Sequence, residues 1–154
     1  MVTDDEGVMD MAKTYQLPRT PVIGEIYLMT FDGAGSEQKG CRPGLIFQNN
    51  LGNLYSPNVI ALPLTSATNK ASLPTHVLIK ACDGGLHKDS VVLCENPERM
   101  SKNRILKYIT KLSEDDMKRV TEASLLATSA ISFLDPDSIL RIWENAVRLN
   151  NRTG

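Results

Sequence analysis

The hydrophobic pattern of this 154-residue chain changes its period once, close to residue 112. Before that point, short apolar runs rich in β-branched and aromatic residues alternate with turn sequences, as in strands. After it, apolar residues recur at helical spacing. Strands followed by helices, rather than alternating with them, predict a mainly β domain. We expect a small barrel-like sheet packed by C-terminal helices.

The first part of the chain contains five or six predicted strands. They cover residues 26–31, 44–48, 59–64, 75–80, 90–93 and 105–109. In the fourth run, Val77 and Ile79 should share one face and His76 the other, because side chains alternate along a strand. The run 59–64 is typical of a strand buried on both faces, but Pro63 lacks a backbone N–H and favours an edge or a bulge, so the pairing of this strand stays open. The asparagine-rich stretch 49–53 is typical of a turn.

Two helices are predicted after the strands. Ser113 and the acidic residues after it form a capping-box type start for a helix to about residue 131. Asp135 and Pro136 are typical of an N-cap and first helical position. The second helix has an apolar stripe of Ile139, Trp143, Ala146 and Val147. This stripe should pack on the first helix, on the sheet or on a second protomer.

These elements divide the chain into three predicted segments. Residues 1–20 form an N-terminal arm that we expect to be poorly ordered, residues 21–134 the barrel domain, and residues 135–154 a helical extension. The hydrophobic content of 42% and charged content of 23% are those of an ordinary globular protein.

Composition also excludes several classes of protein. No apolar run approaches the roughly 18 residues of a membrane span. The acidic N-terminus is unlike a signal peptide, so a cytoplasmic protein is expected. The three cysteines, Cys41, Cys82 and Cys94, show no CxxC spacing, which favours reduced thiols over disulfides or a zinc site. Two histidines are too few for a His-rich metal site.

Charge is unevenly distributed along the chain. Residues 33–112 contain ten basic and five acidic side chains, whereas the chain as a whole carries −1. This excess is compatible with a polyanionic partner such as RNA, although scatter of surface lysines explains it equally well.

The candidate site residues are polar side chains at the ends of predicted strands. Arg42 precedes Pro43 where a glycine-containing loop enters a strand, a position suited to binding phosphate. Thr65 and Ser66 end one strand, His76 begins the next, and Glu95 follows another. Taken singly, each has a simpler interpretation as a surface arginine, a turn cap, a structural histidine or an exposed carboxylate.

Arg42, Thr65, Ser66 and His76 belong to a set of seven motifs whose order and spacing resemble the MazF/PemK family of toxin endoribonucleases, and Glu95 follows the sixth motif by two residues. The motifs are Gly24-Glu25-Ile26-Tyr27, Gly35-Ser36-Glu37-Gln38-Lys39-Gly40 with Arg42-Pro43, Gln48-Asn49-Asn50-Leu51-Gly52-Asn53 with Tyr55-Ser56-Pro57, Pro63-Leu64-Thr65-Ser66, Leu73-Pro74-Thr75-His76-Val77, Lys88-Asp89-Ser90-Val91-Val92-Leu93 and Leu112-Ser113. The resemblance covers residues 24–131. The arm and the last helix have no counterpart in it.

The resemblance implies an SH3-like β-barrel of the MazF/PemK/CcdB type, here with an extra C-terminal helix, that forms a homodimer. It implies an mRNA interferase, the toxin of a type II toxin–antitoxin pair inhibited by an acidic, MazE-like antitoxin. Such an enzyme cleaves single-stranded RNA at short sequences without metal or cofactor, leaving a 2′,3′-cyclic phosphate and a 5′-hydroxyl.

The resemblance also implies roles for individual residues. The family's active arginine, threonine and carboxylate fall on Arg42, Thr65 and Glu95. RNA-binding positions are expected at Ser36, Glu37, Gln38, Lys39, Ser66, His76 and Asn96. Chemically, Arg42 can stabilise a phosphorane and Thr65 can hydrogen-bond a phosphoryl oxygen, while either Glu95 or His76 could accept a proton.

The chain departs from the family pattern in places. Asn96 and Pro97 stand where a glutamine and an aliphatic residue are expected, and Cys41 and Gly44 are also unusual. Another hypothesis therefore stays open: a non-enzymatic toxin on the same fold, either a CcdB-like gyrase poison or a nuclease-dead binding module.

Overall fold

The computed structural model describes residues 19–32 and 39–152. Its strands are β1 Glu25–Asp32, β2 Lys39–Ile46, β3 Asn58–Thr65, β4 His76–Ile79, β5 Ser90–Leu93, β6 Glu98–Ser101 and β7 Ile105–Lys111. Its α-helices are α1 Asn50–Tyr55, α2 Glu114–Thr128 and α3 Pro136–Asn151. Short 3₁₀ turns occupy Thr68–Ser72, Lys102–Arg104 and Ala130–Phe133.

All the strand pairings are antiparallel, in the order β4-β5-β3-β2-β1-β7, and β6 pairs with a separate part of β3. Within the described residues no pairing joins β4 to β7, so the sheet is not closed into a barrel. The predicted mainly β fold with C-terminal helices is confirmed. The strand β6 and the helix α1 were not predicted.

Two apolar clusters lie on opposite faces of the sheet. One cluster packs Val120 and Ala123 of α2 against sheet residues that include Ile26 and Leu45. The other fills the opposite face of β1, β2, β3, β6 and β7, and consists of Tyr27, Met29, Phe31, Ile46, Val59, Ala61, Met100 and Ile105. Because neighbouring side chains on a strand point to opposite faces, membership of a cluster identifies the face on which each strand residue lies.

The strand β3 is central in the sheet, which decides the pairing that Pro63 had left open between a central strand and an edge or bulge. Phe47 N donates to Ile60 O at 2.9 Å. Hydrogen-bonded and non-hydrogen-bonded pairs alternate in antiparallel ladders, so the Gly44–Pro63 pair is non-hydrogen-bonded and the Pro63 nitrogen faces away from β2. On the side that faces away from β2, β3 pairs with β6 as far as Ala61 and with β5 from Leu64 onwards, so Pro63 lies between the two paired stretches. The missing N–H therefore removes no ladder bond.

The predicted turn at 49–53 is instead the start of α1. Asn49 Oδ1 accepts a bond from Gly52 N at 2.8 Å and caps the helix. Asn53 is buried and its side-chain amide donates to Gln48 O at 3.0 Å. Asn50 Oδ1 accepts from Ile23 N at 2.9 Å, which attaches the chain before β1 to the start of α1.

Both C-terminal helices begin as predicted. Ser113 Oγ accepts from Asp116 N at 3.1 Å, and Asp135 Oδ1 accepts from Ser138 N at 2.8 Å with Pro136 in the first turn. α2 ends earlier than expected, at Thr128, because Ser129 adopts a left-handed φ of 53°. α3 contacts α1, yet none of its side chains is buried. No helix in the described part of the chain has the length and apolar content needed to span a bilayer.

Candidate functional site

Arg42 and Thr65 lie on the same face of two neighbouring strands. Gly44 of β2 is paired with Pro63 of β3. Because the strands are antiparallel, Arg42, two residues before Gly44, and Thr65, two residues after Pro63, lie beyond the same end of this paired stretch. A spacing of two residues keeps both side chains on the face of Gly44 and Pro63. Both are half-buried. Arg42 lies inside β2, opposite Met29, and not at the point where a loop enters a strand, as the sequence had suggested.

The space beneath this face explains the unusual glycine in β2. A Cβ atom on Gly44 would lie 2.7 Å from Met29 Sδ and 3.0 Å from Phe31 Cζ. Both side chains are fully buried, so neither can move aside into solvent. Gly44 therefore lets two large side chains pack across β2 directly beside Arg42.

The Thr65 hydroxyl has a structural partner. Thr65 Oγ1 accepts a weak hydrogen bond from Ala67 N at 3.3 Å, the turn-capping role considered from the sequence. A hydroxyl that accepts one bond can still donate its proton to a phosphoryl oxygen. Ser66, the neighbouring candidate, is exposed in the turn that follows β3.

His76 and Glu95 are brought together by the pairing of β4 with β5. His76 is paired with Leu93, two residues before Glu95. His76 Nε2 and Glu95 Oε1 are 2.5 Å apart. The histidine side chain is 4% exposed and the carboxylate 35% exposed, so solvent can reach the pair only from the Glu95 side. Asn96 follows in the turn, where its N–H bonds Leu93 O at 3.1 Å.

The strand pairings place this pair on the same face as Thr65. Thr65 is paired with Val91, and Val91 with Leu78 on the far side of β5. His76 is two residues from Leu78 and shares its face, whereas Val77 and Ile79 belong to the core cluster of the opposite face, as predicted. β3 and β4 are thus two strands apart, about 10 Å across the sheet, and His76 lies a further two residues, about 7 Å, along its strand from the position level with Thr65.

The candidates between residues 36 and 39 lie wholly or partly outside the residues that the structure describes. Ser36, Glu37 and Gln38 lie outside the described residues. Lys39 begins β2, but its side chain also lies outside them. The two strand residues that flank this segment, Asp32 and Lys39, are paired. Asp32 also forms an ion pair with Arg104.

The Gly24-Glu25-Ile26-Tyr27 motif serves the fold and not this site. Glu25 is buried; its Oε2 accepts bonds from Tyr27 OH at 2.7 Å and Val22 N at 2.9 Å. Arg19 Nη2 lies 2.6 Å from Glu25 Oε1, and its guanidinium stacks 5.0 Å from the Tyr108 ring centre. Burial, and then the bond to Glu25, raise the pKa of Tyr27 far above its usual value.

The face therefore combines a guanidinium, a hydroxyl and a histidine–carboxylate pair. A guanidinium can neutralise a phosphate, a hydroxyl can donate to it, and the pair can accept a proton. His76 and Glu95 are each candidates in the sequence, but their pairing arises from the β4–β5 register, which has no local signal. Across residues 19–32 and 39–152, His, Cys, Asp and Glu side chains form no group of three that could hold a metal ion.

A protein-family model and a related protein both match this chain in sequence. The model of the family described as "PemK-like, MazF-like toxin of type II toxin-antitoxin system" matches residues 23–126. Endoribonuclease MazF of Staphylococcus saprophyticus subsp. saprophyticus is 46% identical over 101 residues, which cover 65% of this chain and 84% of that protein.

Solved structures share the fold. MazF (Form-I) from Deinococcus radiodurans aligns with a TM-score of 0.63 at 23% identity, covering 72% of this chain and 98% of that one. An endoribonuclease in complex with its cognate antitoxin, from a Mycobacterial species, aligns with a TM-score of 0.59 at 24% identity, covering 71% and 96%. The family match ends at residue 126, so α3 lies outside it.

Proposed function

Because the chain belongs to the family of PemK-like and MazF-like toxins of type II toxin–antitoxin systems, we propose that it is a metal-independent endoribonuclease. In this proposal it cleaves single-stranded mRNA in the cytoplasm at short sequences. The observation that carries the proposal is the shared face of Arg42, Thr65 and the His76–Glu95 pair. These groups match the needs of phosphodiester cleavage.

The proposed reaction is an attack by a ribose 2′-hydroxyl on the adjacent phosphorus. The 2′-oxygen loses its proton and forms a bond to phosphorus, while the bond from phosphorus to the 5′-oxygen breaks. The leaving 5′-oxygen takes up a proton. The products are a 2′,3′-cyclic phosphate and a 5′-hydroxyl. No water is consumed, and the step requires no metal ion.

Arg42 is the proposed electrostatic catalyst. Its side chain starts from the interior of a strand, so its backbone is fixed by pairing with β1. A guanidinium held in this way can stabilise the charge that develops on the phosphorane without reorganising, which is the most effective use of a cation in catalysis. It is also a candidate to assist the leaving oxygen. Thr65 would donate to a phosphoryl oxygen beside it.

The His76–Glu95 pair is the proposed proton acceptor. A carboxylate bonded to one imidazole nitrogen fixes the ring's orientation and its tautomer. The sequence left Glu95 and His76 as alternative bases. Their 2.5 Å contact lets them act as one unit, in which Glu95, the more exposed member, meets the substrate.

The same face is the proposed binding surface for the RNA substrate and for an antitoxin. The RNA strand is proposed to contact Ser36, Glu37, Gln38, Lys39, Ser66 and Asn96. The +5 charge of residues 33–112 supports binding of RNA and of an acidic antitoxin segment. We further propose a homodimer.

The decisive test is digestion of a single-stranded RNA in EDTA. We expect cleavage at a short recurring sequence, with mass spectrometry showing 2′,3′-cyclic phosphate and 5′-hydroxyl ends. Folded protein that leaves RNA intact, with or without added Mg²⁺, would refute the endoribonuclease and favour a gyrase poison or binding module. Cleavage that stops in EDTA would refute metal independence alone.

A further inference from the structure

A further carboxylate, that of Glu98, lies on the face of the candidate site and has no part in the proposed reaction. Glu98 begins β6 and is paired with Ala61 of β3. Ala61 is two residues before Pro63 and four before Thr65, so these three residues share a face. Side chains of paired strand residues project to the same side of a sheet, and Glu98 is half-buried there. Met100, two residues after Glu98, belongs to the apolar cluster of this face.

Glu98 is close to the site both along the chain and across the sheet. It follows Glu95 by three residues, and Asn96 lies in the turn between them. Four residues along β3 and one strand spacing separate its backbone from that of Thr65, about 14 Å in all. Neighbouring nucleotides of a strand bound at Arg42 and Thr65 can bridge this distance.

The charge of Glu98 restricts which part of an RNA strand it can contact. An ionised carboxylate only accepts hydrogen bonds, and it repels phosphates. The donors that single-stranded RNA offers are the N–H groups of its bases and the ribose 2′-hydroxyl. A half-buried carboxylate on a face that binds RNA is therefore suited to a base edge and not to the phosphate backbone.

Guanine is the base that best fits a carboxylate. Its Watson–Crick edge presents two adjacent donors, N1–H and the 2-amino group, which match the two carboxylate oxygens in a bidentate contact. In cytosine and adenine the amino donor lies next to a ring nitrogen that accepts, and in uracil the N–H lies between two carbonyl oxygens. Those acceptors would face the second carboxylate oxygen and repel it.

We propose that Glu98 is a specificity-determining residue, whose carboxylate binds the Watson–Crick edge of a guanine close to the scissile phosphate. The inference rests on the proposed endoribonuclease and names one base of its recognition sequence. Glu98 also takes part in a polar interaction within the chain, so a purely structural role is the competing explanation.

The first test maps the cleaved sequence in a randomised single-stranded RNA library, from the sequenced ends of the products. We expect the wild type to require guanine at one position near the cleaved bond. Glu98→Gln replaces the carboxylate by an amide of the same shape and loses a hydrogen bond to a charged group. The preference for guanine at this position should therefore fall about 10–100-fold, while the other positions stay unchanged.

The second test changes the RNA and not the protein. Inosine has the N1–H of guanine and lacks its 2-amino group. The wild type should cleave a short substrate with inosine at the required position about 10–100-fold more slowly than the guanine substrate. Glu98→Gln should cleave the two substrates at similar rates.

Arg99→Gln is the matched control. Arg99 is the next residue of β6, is exposed and lies on the opposite face of the sheet from Glu98. This variant also removes one charge, and we expect it to keep the wild-type recognition sequence and the wild-type discrimination against inosine. Thermal unfolding of both variants verifies that they fold.

The outcomes separate this inference from the proposed function. A wild-type recognition sequence without guanine would overturn the role of Glu98 and leave the endoribonuclease. The same holds if the guanine preference and the discrimination against inosine survive in Glu98→Gln, whatever its melting temperature. A wild type that cleaves no RNA would overturn both proposals. If Glu98→Gln does not fold, Glu98→Ala takes its place with the same expected loss of guanine preference.

Discussion

Replacement of Gly44 by alanine should destabilise the protein through a contact that the fold cannot relieve. The new methyl group would lie 2.7 Å from Met29 Sδ and 3.0 Å from Phe31 Cζ. Methionine is usually adaptable, but Met29 is fully buried and lies among close-packed residues. Overpacking of this kind costs about 1–3 kcal/mol. The backbone at Gly44 has no left-handed φ, so the cost comes from packing alone.

Chemical and thermal denaturation would measure this effect. A loss of about 1–3 kcal/mol corresponds to a Tm lower by roughly 2–10 °C for a domain of this size. The control is the same substitution in a Met29→Ala background, where the contact with Met29 Sδ is gone and only the 3.0 Å contact with Phe31 Cζ remains, so the cost of Gly44→Ala should be clearly smaller. Equal costs in both backgrounds, or no cost in the wild type, would show that the Met29 side chain does not occupy the space beside Gly44.

Three further predictions concern the site and the thiols. Arg42→Ala should lower the cleavage rate by about 10²–10³ while thermal unfolding stays close to wild type, and a folded variant with normal cleavage would contradict the assignment. His76→Phe should reduce cleavage by about 10²–10⁴ and change its pH dependence, and Glu95→Gln, which can still bond the ring but loses the carboxylate that meets the substrate, should reduce cleavage at least as far; a pH profile unaltered in both would exclude the pair as proton acceptor. Burial raises the pKa of Cys94 to about 11 from an ordinary value of 9.0, so a thiol reagent at pH 8 should modify the two exposed cysteines rapidly and Cys94 only on unfolding. The same shift stabilises the fold below pH 9, and this contribution should be lost as the pH rises from about 9 towards 11.

Local signals in the sequence predicted local structure well. The N-caps at Ser113 and Asp135 are confirmed because a capping side chain bonds a backbone group only three residues away. The alternation of β4 is confirmed for the same reason, since a strand's faces follow from its own sequence. α1 was missed because asparagines favour turns as readily as caps, and the helix is formed by the Asn49 cap together with the buried Asn53, whose amide bonds Gln48 O.

Long-range features could not be predicted in this way. The His76–Glu95 contact joins residues 19 positions apart and depends on how β4 registers with β5. The Arg42–Thr65 arrangement depends likewise on the order of strands in the sheet. For these residues only the resemblance to a family indicated a shared site, because no periodic pattern encodes the pairing of distant strands.

Pro63 has a further consequence for the site. A strand that slips by one residue turns every side chain to the other face, which would carry Thr65 away from Arg42. In the observed register the Pro63 nitrogen lies where β3 changes partners from β6 to β5, and no ladder bond is lost. A one-residue slip would turn that nitrogen towards β2, where a donor is needed. Pro63 therefore disfavours registers that differ from the observed one by a single residue. Although its own side chain has no catalytic group, it keeps Thr65 on the same face of the sheet as Arg42.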